Sequence, residues 1–220
     1  MFKSWGWSWK KPCYRQLLKY TSANIDYYSD FLLWLWSVDP RRCKFADESH
    51  FVSCDLYCTK CLGPRGQKMD LICGGNLKTS VTMTILTDVS DNAIRPVYAQ
   101  LREESNTQWD FLLFVCDALD AGHLSFGDFL IVDNASVHKG DATFGILQDT
   151  LESYGVTLIY LPKYSPELNP CEFIFGLLKN HLRHYRKTDE FLWELTLSLA
   201  KITPHKVLKN YFHCRHQEIN

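Results

Sequence analysis

The stretch Gly127-Asp128-Phe129-Leu130-Ile131-Val132-Asp133-Asn134-Ala135 decides how this chain folds. Its apolar run, Phe129–Val132, predicts a buried strand that leads directly into the carboxylate of Asp133. A carboxylate at the end of a buried strand is costly unless something pairs with it. Because ligands gather beyond the carboxyl ends of strands in open α/β sheets, Asp133 stands where a functional site is expected.

A second carboxylate follows about one helix and one strand later, in the motif Leu161-Pro162-Lys163-Tyr164-Ser165-Pro166-Glu167-Leu168-Asn169-Pro170-Cys171-Glu172. Apolar residues then recur at helical spacing, which places Glu172 near the start of a helix. On a 3.6-residue period Glu172, Lys179 and Arg183 share one face, and the apolar stripe that docks on the sheet lies elsewhere. The sequence therefore predicts carboxylate and basic groups along one exposed edge.

Plainer structural interpretations exist for Glu172 and for Asp47 with Glu48, but Asp133 is harder to dismiss, because a carboxylate that ends a buried strand usually has a partner. Glu172 stands three residues after Asn169, with Pro170 at the first helical position, so it could be only the acidic half of a capping box. Asp47 and Glu48, which follow a short apolar run, could be ordinary turn residues. Periodicity alone leaves both alternatives open.

The predicted elements give a fold class. In chain order they are a helix over Ser22–Ser37, strands over 43–48, 66–72 and 81–86, a helix from a capping box at 105–108 to Gly122, the strand Phe129–Val132, a helix from Asp141 to Gly155, a strand over 156–161, and the helix after Pro170. Three antiparallel strands followed by βα alternation predict an α/β protein with a ribonuclease H-like mixed sheet and flanking helices. In such a sheet the first and fourth strands are neighbours, which brings Asp47 close to Asp133.

Three converging carboxylates suggest a metal site. Asp47, Asp133 and Glu172 would raise one another's pKa values by repulsion, so the cluster makes sense chiefly as a cage for hard divalent cations, Mg²⁺ or Mn²⁺. Two such ions can activate an attacking hydroxyl and stabilise the leaving oxygen of a phosphodiester. Basic side chains are candidates for holding a phosphate backbone, although such a face is usually only solvated: Lys163, Lys179, Arg183, Arg186 and Lys187.

Three segments together resemble the catalytic domain of Tc1/mariner-type transposases. They are Phe45-Ala46-Asp47-Glu48-Ser49, Val132-Asp133-Asn134-Ala135 with His138, and the motif that ends at Glu172. The resemblance spans about residues 43–185 and implies a DDE site in which Asp47, Asp133 and Glu172 bind two divalent ions. The separation of Asp133 and Glu172, 39 positions, is long for that superfamily.

This resemblance also implies an activity and its partners. The activity is cut-and-paste DNA transposition: hydrolysis of a strand at the element's end, then attack of the freed 3′ hydroxyl on target DNA. The implied partners are transposon ends, target DNA and further copies of the chain, and the implied location is the nucleus. Three more residues are expected to support the carboxylates rather than to bind metal: Asn134, His138 and Asn169.

The segment Gly6-Trp7-Ser8 is similar to the end of the helix-turn-helix region that precedes such cores, and nearly all of that region is missing. We therefore expect a remnant of the DNA-binding region with a linker helix over 1–38, the catalytic domain over 39–187 and a helical tail over 188–220. The missing region favours an alternative function, in which a truncated or domesticated copy binds nucleic acid or a partner subunit without catalysis. A third option is an unrelated ribonuclease H-fold nuclease that cleaves RNA in hybrids.

Composition sets the outer bounds. The chain has 220 residues, of which 46% are hydrophobic and 22% charged, as in an ordinary globular domain. A formal net charge of −1 gives no global attraction to nucleic acid or to an anionic membrane, so any DNA binding must come from local patches. The longest apolar run, Phe31-Leu32-Leu33-Trp34-Leu35-Trp36, is far below the roughly 20 residues of a membrane span. We expect a soluble protein.

The cysteines and tryptophans receive structural interpretations. Nine scattered cysteines without a recognisable signal peptide indicate a reduced intracellular compartment. Four of them have a loosely zinc-like spacing in a region that needs no metal: Cys54, Cys58, Cys61 and Cys73. Four tryptophans are most simply expected in the core: Trp34, Trp36, Trp109 and Trp193.

Overall fold

The computed structural model describes residues 16–53, 62–70, 79–89, 95–185 and 191–202. Five strands form one mixed sheet in the order β3-β2-β1-β4-β5. They are β1 (Cys43–Val52), β2 (Ser80–Asp88), β3 (Arg95–Arg102), β4 (Phe129–Val132) and β5 (Thr157–Tyr160). β1 pairs antiparallel with β2 and parallel with β4, and β4 pairs parallel with β5. The first and fourth strands are therefore neighbours, as the ribonuclease H-like prediction requires.

Helices cover both faces of the sheet. They are α1 (Ser22–Ser37), α2 (Gln108–Asp120), α3 (Phe144–Ser153), α4 (Pro170–Tyr185) and α5 (Phe191–Ala200). One core joins α1, α4 and α5 to the face that carries Phe45 and Ile131, and the other joins α2 and α3 to the face that carries Ala46 and Leu130. Within the described ranges, every helix is too short or too polar to cross a membrane.

The third antiparallel strand lies later in the chain than predicted. Residues 66–70 of the predicted strand 66–72 are not in a strand, and the third antiparallel strand is β3, which lies at the edge of the sheet beside β2. Pro96 hid β3 from a propensity argument, because proline cannot donate to a strand ladder. The structure accommodates it on an edge strand, beside a register shift at Leu86 and Thr87 of β2. β1 also runs further than the predicted 43–48, because it pairs with β2 along its whole second half.

Two helix starts differ from the predicted ones. α2 is capped by Thr107, whose hydroxyl accepts a hydrogen bond from the Asp110 N–H, while the Asp110 carboxylate accepts one from the Thr107 N–H at 2.8 Å. The predicted box over 105–108 is therefore wrong, because an aspartate serves at the third position in place of glutamate or glutamine. α3 begins after Thr143 rather than at Asp141. Gly155, with φ of 68°, follows it in the left-handed conformation that ends a helix.

The tryptophan prediction holds for one residue of four. The ring of Trp34 packs edge-on against Phe129 with centroids 5.1 Å apart. Trp36, Trp109 and Trp193 are 59%, 49% and 55% exposed, so the prediction that they lie in the core is wrong. Their side chains lie on the solvent-facing sides of α1, α2 and α5. The four cysteines with zinc-like spacing, like Arg186 and Lys187, lie outside the described residues.

Candidate active site

The alternation of side chains along β1 sends two adjacent carboxylates to opposite faces of the sheet. Phe45 packs in the core beneath α4, and Ala46 packs in the core beneath α2 and α3. Asp47 continues the first face and Glu48 the second. Because Ala46 pairs with Val132 in the parallel ladder, the residues that follow them, Asp47 and Asp133, meet at the same sheet edge.

The three predicted catalytic carboxylates line one cavity. Asp47 lies in the central strand β1, Asp133 directly follows the neighbouring strand β4, and Glu172 lies in the first turn of α4. The cavity has a volume of about 420 Å³, and Asn134, Lys163 and Asn169 also line it. The turn interpretation of Asp47 is thus excluded, since Asp47 lies within a strand and is only 8% exposed.

Asp47 forms the buried floor of this cavity. Its Oδ2 accepts a hydrogen bond from Asn169 Nδ2 at 2.8 Å, and its Oδ1 accepts one from the Glu48 N–H at 2.8 Å. Burial and the negative charge of Asp133 raise the pKa of Asp47 to about 8, despite the Glu48 N–H, and Glu172 adds to the rise. This carboxyl group is therefore largely protonated near neutral pH until a positive charge enters the cavity.

Asp133 has the opposite electrostatic character. Its Oδ1 accepts hydrogen bonds from the Ala135 N–H and from His138 Nδ1, each at 2.8 Å. Burial alone would raise the pKa of Asp133, but these two donors outweigh it and lower the pKa. Within the described part of the chain, the hydrogen bonds to this side chain all end on Oδ1, so Oδ2 is left for a ligand.

His138 lies behind Asp133 with its side chain fully buried. Its Nε2 is 2.8 Å from Oε2 of Glu48, so the ring bridges two carboxylates. Burial opposes protonation of His138, but the hydrogen bonds with Asp133 and Glu48 raise its pKa to about 10. Sequence reasoning gave Glu48 no functional role. Strand alternation was the signal that could have found it, because it puts Glu48 on the face opposite to Asp47.

The start of α4 sets the position of Glu172. Asn169 caps the helix, as its Oδ1 accepts a hydrogen bond from the Cys171 N–H at 3.1 Å. In a capping box, Glu172 would accept from the Asn169 N–H, but that group donates to the carbonyl of Pro166. The box alternative is therefore wrong. Burial raises the pKa of Glu172, the charge of Lys179 opposes the rise, and the charge of Asp133 adds to it.

The predicted basic residues have different surroundings. Lys163 is exposed at the cavity wall, and its backbone N–H donates to Asn24 Oδ1 at 2.9 Å, which ties the loop before α4 to α1. Lys179, on the same helix face as Glu172, donates to Ser49 Oγ at 2.9 Å. Arg183 is exposed one turn further along. Sequence reasoning missed Lys139, whose ammonium pairs with Asn134 beside the cavity.

The side chains of this cavity offer carboxylate and amide oxygens, which are the ligands that hard divalent cations prefer. Burial raises the pKa of Asp47 most, and the negative charges of Asp133 and Glu172 add to the rise; a divalent cation would neutralise those charges. Across the described ranges, however, no group of three or more His, Cys, Asp or Glu side chains is spaced to hold a metal ion as it stands. Coordination by all three carboxylates would therefore require their side chains to adjust.

The family model of the DDE superfamily endonucleases matches residues 42–192, more than half of the chain. The chain belongs to the DDE superfamily endonuclease family. This membership confirms the predicted DDE domain, and the matched segment contains Asp47, Asp133 and Glu172. A comparison with curated protein sequences found no match.

The fold is similar to that of the Mos1 mariner transposase. The Mos1 paired-end complex with the left transposon end aligns at a TM-score of 0.72 and 16% identity, covering 98% of this chain and 66% of that chain. The Mos1 strand transfer complex aligns at a TM-score of 0.74 and 16% identity, covering 98% of this chain and 65% of that chain. The Mos1 catalytic domain aligns at a TM-score of 0.61 and 13% identity, covering 96% of this chain and 98% of that chain. At such identities the likeness concerns the fold alone, and it confirms the predicted ribonuclease H-like architecture. This chain spans about two thirds of the length of the Mos1 chains in the two complexes.

Proposed function

We propose that this chain is the catalytic core of a DDE transposase that cleaves and joins DNA phosphodiesters with the help of two Mg²⁺ or Mn²⁺ ions. One observation carries the proposal. Asp47, Asp133 and Glu172, separated along the chain, line a single cavity inside a domain of the DDE endonuclease family. The Mos1 relatives include paired-end complexes with Mn and with Mg, which supports the same choice of ions here.

In this proposal the three carboxylates hold the ions, and each contributes differently. When bound, paired divalent ions supply activation of the attacking oxygen and stabilisation of the leaving oxygen. Asp133, whose pKa is lowered, offers an ionised oxygen at neutral pH. Asp47, whose pKa is raised to about 8, gives up its proton when positive charge enters. Glu172 completes the set from α4, where Asn169 fixes the first turn.

The proposal assigns DNA binding to the basic residues around the cavity. Lys163 stands on the cavity wall, and Lys179 stands within electrostatic reach of Glu172. Both ammonium groups would attract a phosphate near the carboxylates, which offsets the repulsion between the phosphate charge and the acidic site. Arg183 lies on the same helix, and Arg186 and Lys187 follow it in sequence.

A plasmid nicking assay tests the enzyme function. The full chain is incubated with supercoiled DNA in Mg²⁺ or Mn²⁺, beside Asp133→Asn and a matched control, Asp149→Asn, at an exposed position on α3. We expect wild type and Asp149→Asn to nick the plasmid equally and Asp133→Asn to be inactive. A pre-cut oligonucleotide with a free 3′ hydroxyl then tests joining to a plasmid target.

Other outcomes identify the alternative functions. Salt-sensitive DNA binding with equal inactivity of wild type and Asp133→Asn would indicate a copy that binds nucleic acid without catalysis. Preferential cleavage of RNA in hybrids would indicate a nuclease of another kind. Either result refutes the transposase assignment.

The assembly and location of the protein complete the proposal. The described part of each chain carries one cavity lined by the three carboxylates, whereas a transposon has two ends, so we expect a homo-oligomer on DNA. Light scattering of the protein with and without end-containing DNA measures this. A nuclear location follows from chromosomal DNA as substrate and is checked by microscopy of the tagged full chain.

A further inference from the structure

Behind Asp133, on the side away from the cavity, lies a buried pair formed by Glu48 and His138. Glu48 Oε2 and His138 Nε2 are 2.8 Å apart, and the other ring nitrogen of His138 is 2.8 Å from Asp133 Oδ1. Neither Glu48 nor His138 lines the cavity. The pair can therefore affect a ligand in the cavity only through Asp133.

The surroundings of the pair fix it in place. Asn106 Nδ2 donates to Thr84 Oγ1 at 2.6 Å and lies 3.5 Å from Glu48 Oε1. The ring of Phe111 packs on the imidazole with centroids 4.3 Å apart. The backbone carbonyl of His138 accepts a hydrogen bond from the Tyr160 hydroxyl at 3.1 Å. Contacts from β2, α2 and β5 thus hold the ring between its two carboxylate partners.

The direction of these contacts matters for Asp133. Among the residues that the structure describes, His138 and the Ala135 N–H donate hydrogen bonds to this carboxylate, and both bonds end on Oδ1. Two donors on one oxygen fix the rotation of the group about its Cβ–Cγ bond, and the second oxygen then points away from them. Asp133 lines the cavity, so the oxygen without these bonds is the one that can face a cation.

We propose that Glu48 and His138 are positioning residues, which hold Asp133 so that its Oδ2 is presented to a divalent cation in the cavity. This inference rests on the proposed function and deepens it. His138 orients Asp133, and Glu48 orients the His138 ring. Groups that orient a metal ligand typically change metal affinity about 10- to 100-fold when removed.

A pair of histidine substitutions separates the two contacts of the ring. The amide nitrogen of asparagine takes the place of Nδ1, so His138→Asn keeps a donor for Asp133. The amide nitrogen of glutamine takes the place of Nε2, so His138→Gln keeps the contact with Glu48 and loses the one with Asp133. Both variants remove the same ring. His123→Asn, at a histidine stacked on Tyr98 outside the site, is the matched control.

Binding of Mn²⁺ to the full chain is measured without DNA, by electron paramagnetic resonance of free Mn²⁺, so that the readout does not depend on cleavage. We expect His138→Gln to weaken binding about 10-fold or more. His138→Asn and His123→Asn should stay within about threefold of wild type, since each keeps the donor to Asp133. Equal affinity of His138→Gln and wild type would overturn the positioning role, and so would equal loss in the Asn and Gln variants.

A second pair covers the case in which the ring substitutions do not fold. Glu48→Gln keeps an acceptor for His138, whereas Glu48→Ala removes it. We expect Glu48→Ala to weaken Mn²⁺ binding and Glu48→Gln to restore most of it, and equal affinities in the two variants would refute the proposal.

Asp133→Asn shows whether the proposed function or only the positioning role has failed. If wild type and Asp133→Asn bind Mn²⁺ alike, the proposed function fails together with the inference; if only Asp133→Asn loses binding, the positioning role alone is wrong.

Discussion

The stability of the metal-free protein should fall as the pH rises, because of Asp47. The pKa of this buried carboxyl group is raised from its ordinary 3.8 to about 8 by burial and by the charges of Asp133 and Glu172. Between these two pH values the folded state binds a proton that the unfolded state does not bind. The free energy of unfolding therefore decreases with pH across that window, and the full loss is reached above the folded pKa.

The expected size follows from the same linkage. Between pH 6 and pH 9, release of the Asp47 proton from the folded state lowers the free energy of unfolding by about 3 kcal/mol. His138 acts in the same direction, because its pKa is raised from 6.5 to about 10. A divalent cation that binds only the folded state opposes the loss, by about 2.7 kcal/mol at 100 times its dissociation constant.

Urea unfolding at pH 6 and pH 9 measures the effect, with chelator and with Mg²⁺. Asp47→Asn is the comparison that isolates Asp47, because it keeps the shape of the side chain and cannot titrate. Its amide faces the Asn169 amide, which shifts the stability at both pH values, so the pH dependence is the readout. We expect the loss in wild type to exceed that in Asp47→Asn by about 3 kcal/mol and to shrink in Mg²⁺. Parallel losses in the two proteins would refute the protonated state of Asp47.

Three further changes test other parts of the structure. Asn169→Ala removes the α4 cap and a hydrogen bond to Asp47; urea unfolding should show a loss of about 1 to 2 kcal/mol, and an unchanged midpoint would contradict the capping role. Leu178→Ala, on the buried face of α4, should lower the free energy of unfolding by about 2 to 5 kcal/mol in the same assay. Lys179→Gln should weaken DNA binding and lower the salt dependence of log affinity by about 1, measured by fluorescence anisotropy; an unchanged slope would exclude a phosphate contact.

The fold was predictable where a pattern had one physical cause. The run Phe129–Val132 is buried on both faces in a parallel ladder, so its continuous apolar character predicted β4 directly. β3 was missed because an edge strand has one half-buried face and tolerates Pro96. The start of α2 was predicted two residues too early. An aspartate, Asp110, accepts the hydrogen bond from the N–H of the capping residue Thr107, where the capping-box pattern expects glutamate or glutamine.

The site was predictable as a set of residues but only partly as an arrangement. Motif spacing could name Asp47, Asp133 and Glu172, because the topology brings the middle of β1, the end of β4 and the start of α4 to one cavity. Spacing could not show that the three carboxyl groups differ in pKa. Whether a carboxyl group is ionised depends on burial and on neighbours distant in sequence, such as His138 for Asp133 and Asn169 for Asp47.

The adjacency of Asp47 and Glu48 explains why such a site depends on strand register. Side chains alternate along β1, so one carboxylate reaches the cavity beneath α4 while the next reaches His138 on the opposite face. A one-residue slip of β1 against β4 would exchange them, putting Glu48 in the cavity and Asp47 behind Asp133. The shorter Asp47 side chain would fall short of His138 Nε2, and Asp133 would lose its fixed orientation. The long antiparallel pairing of β1 with β2 from Lys44 to Val52 opposes that slip, so the extension of β1 beyond the catalytic residue stabilises the geometry of the site.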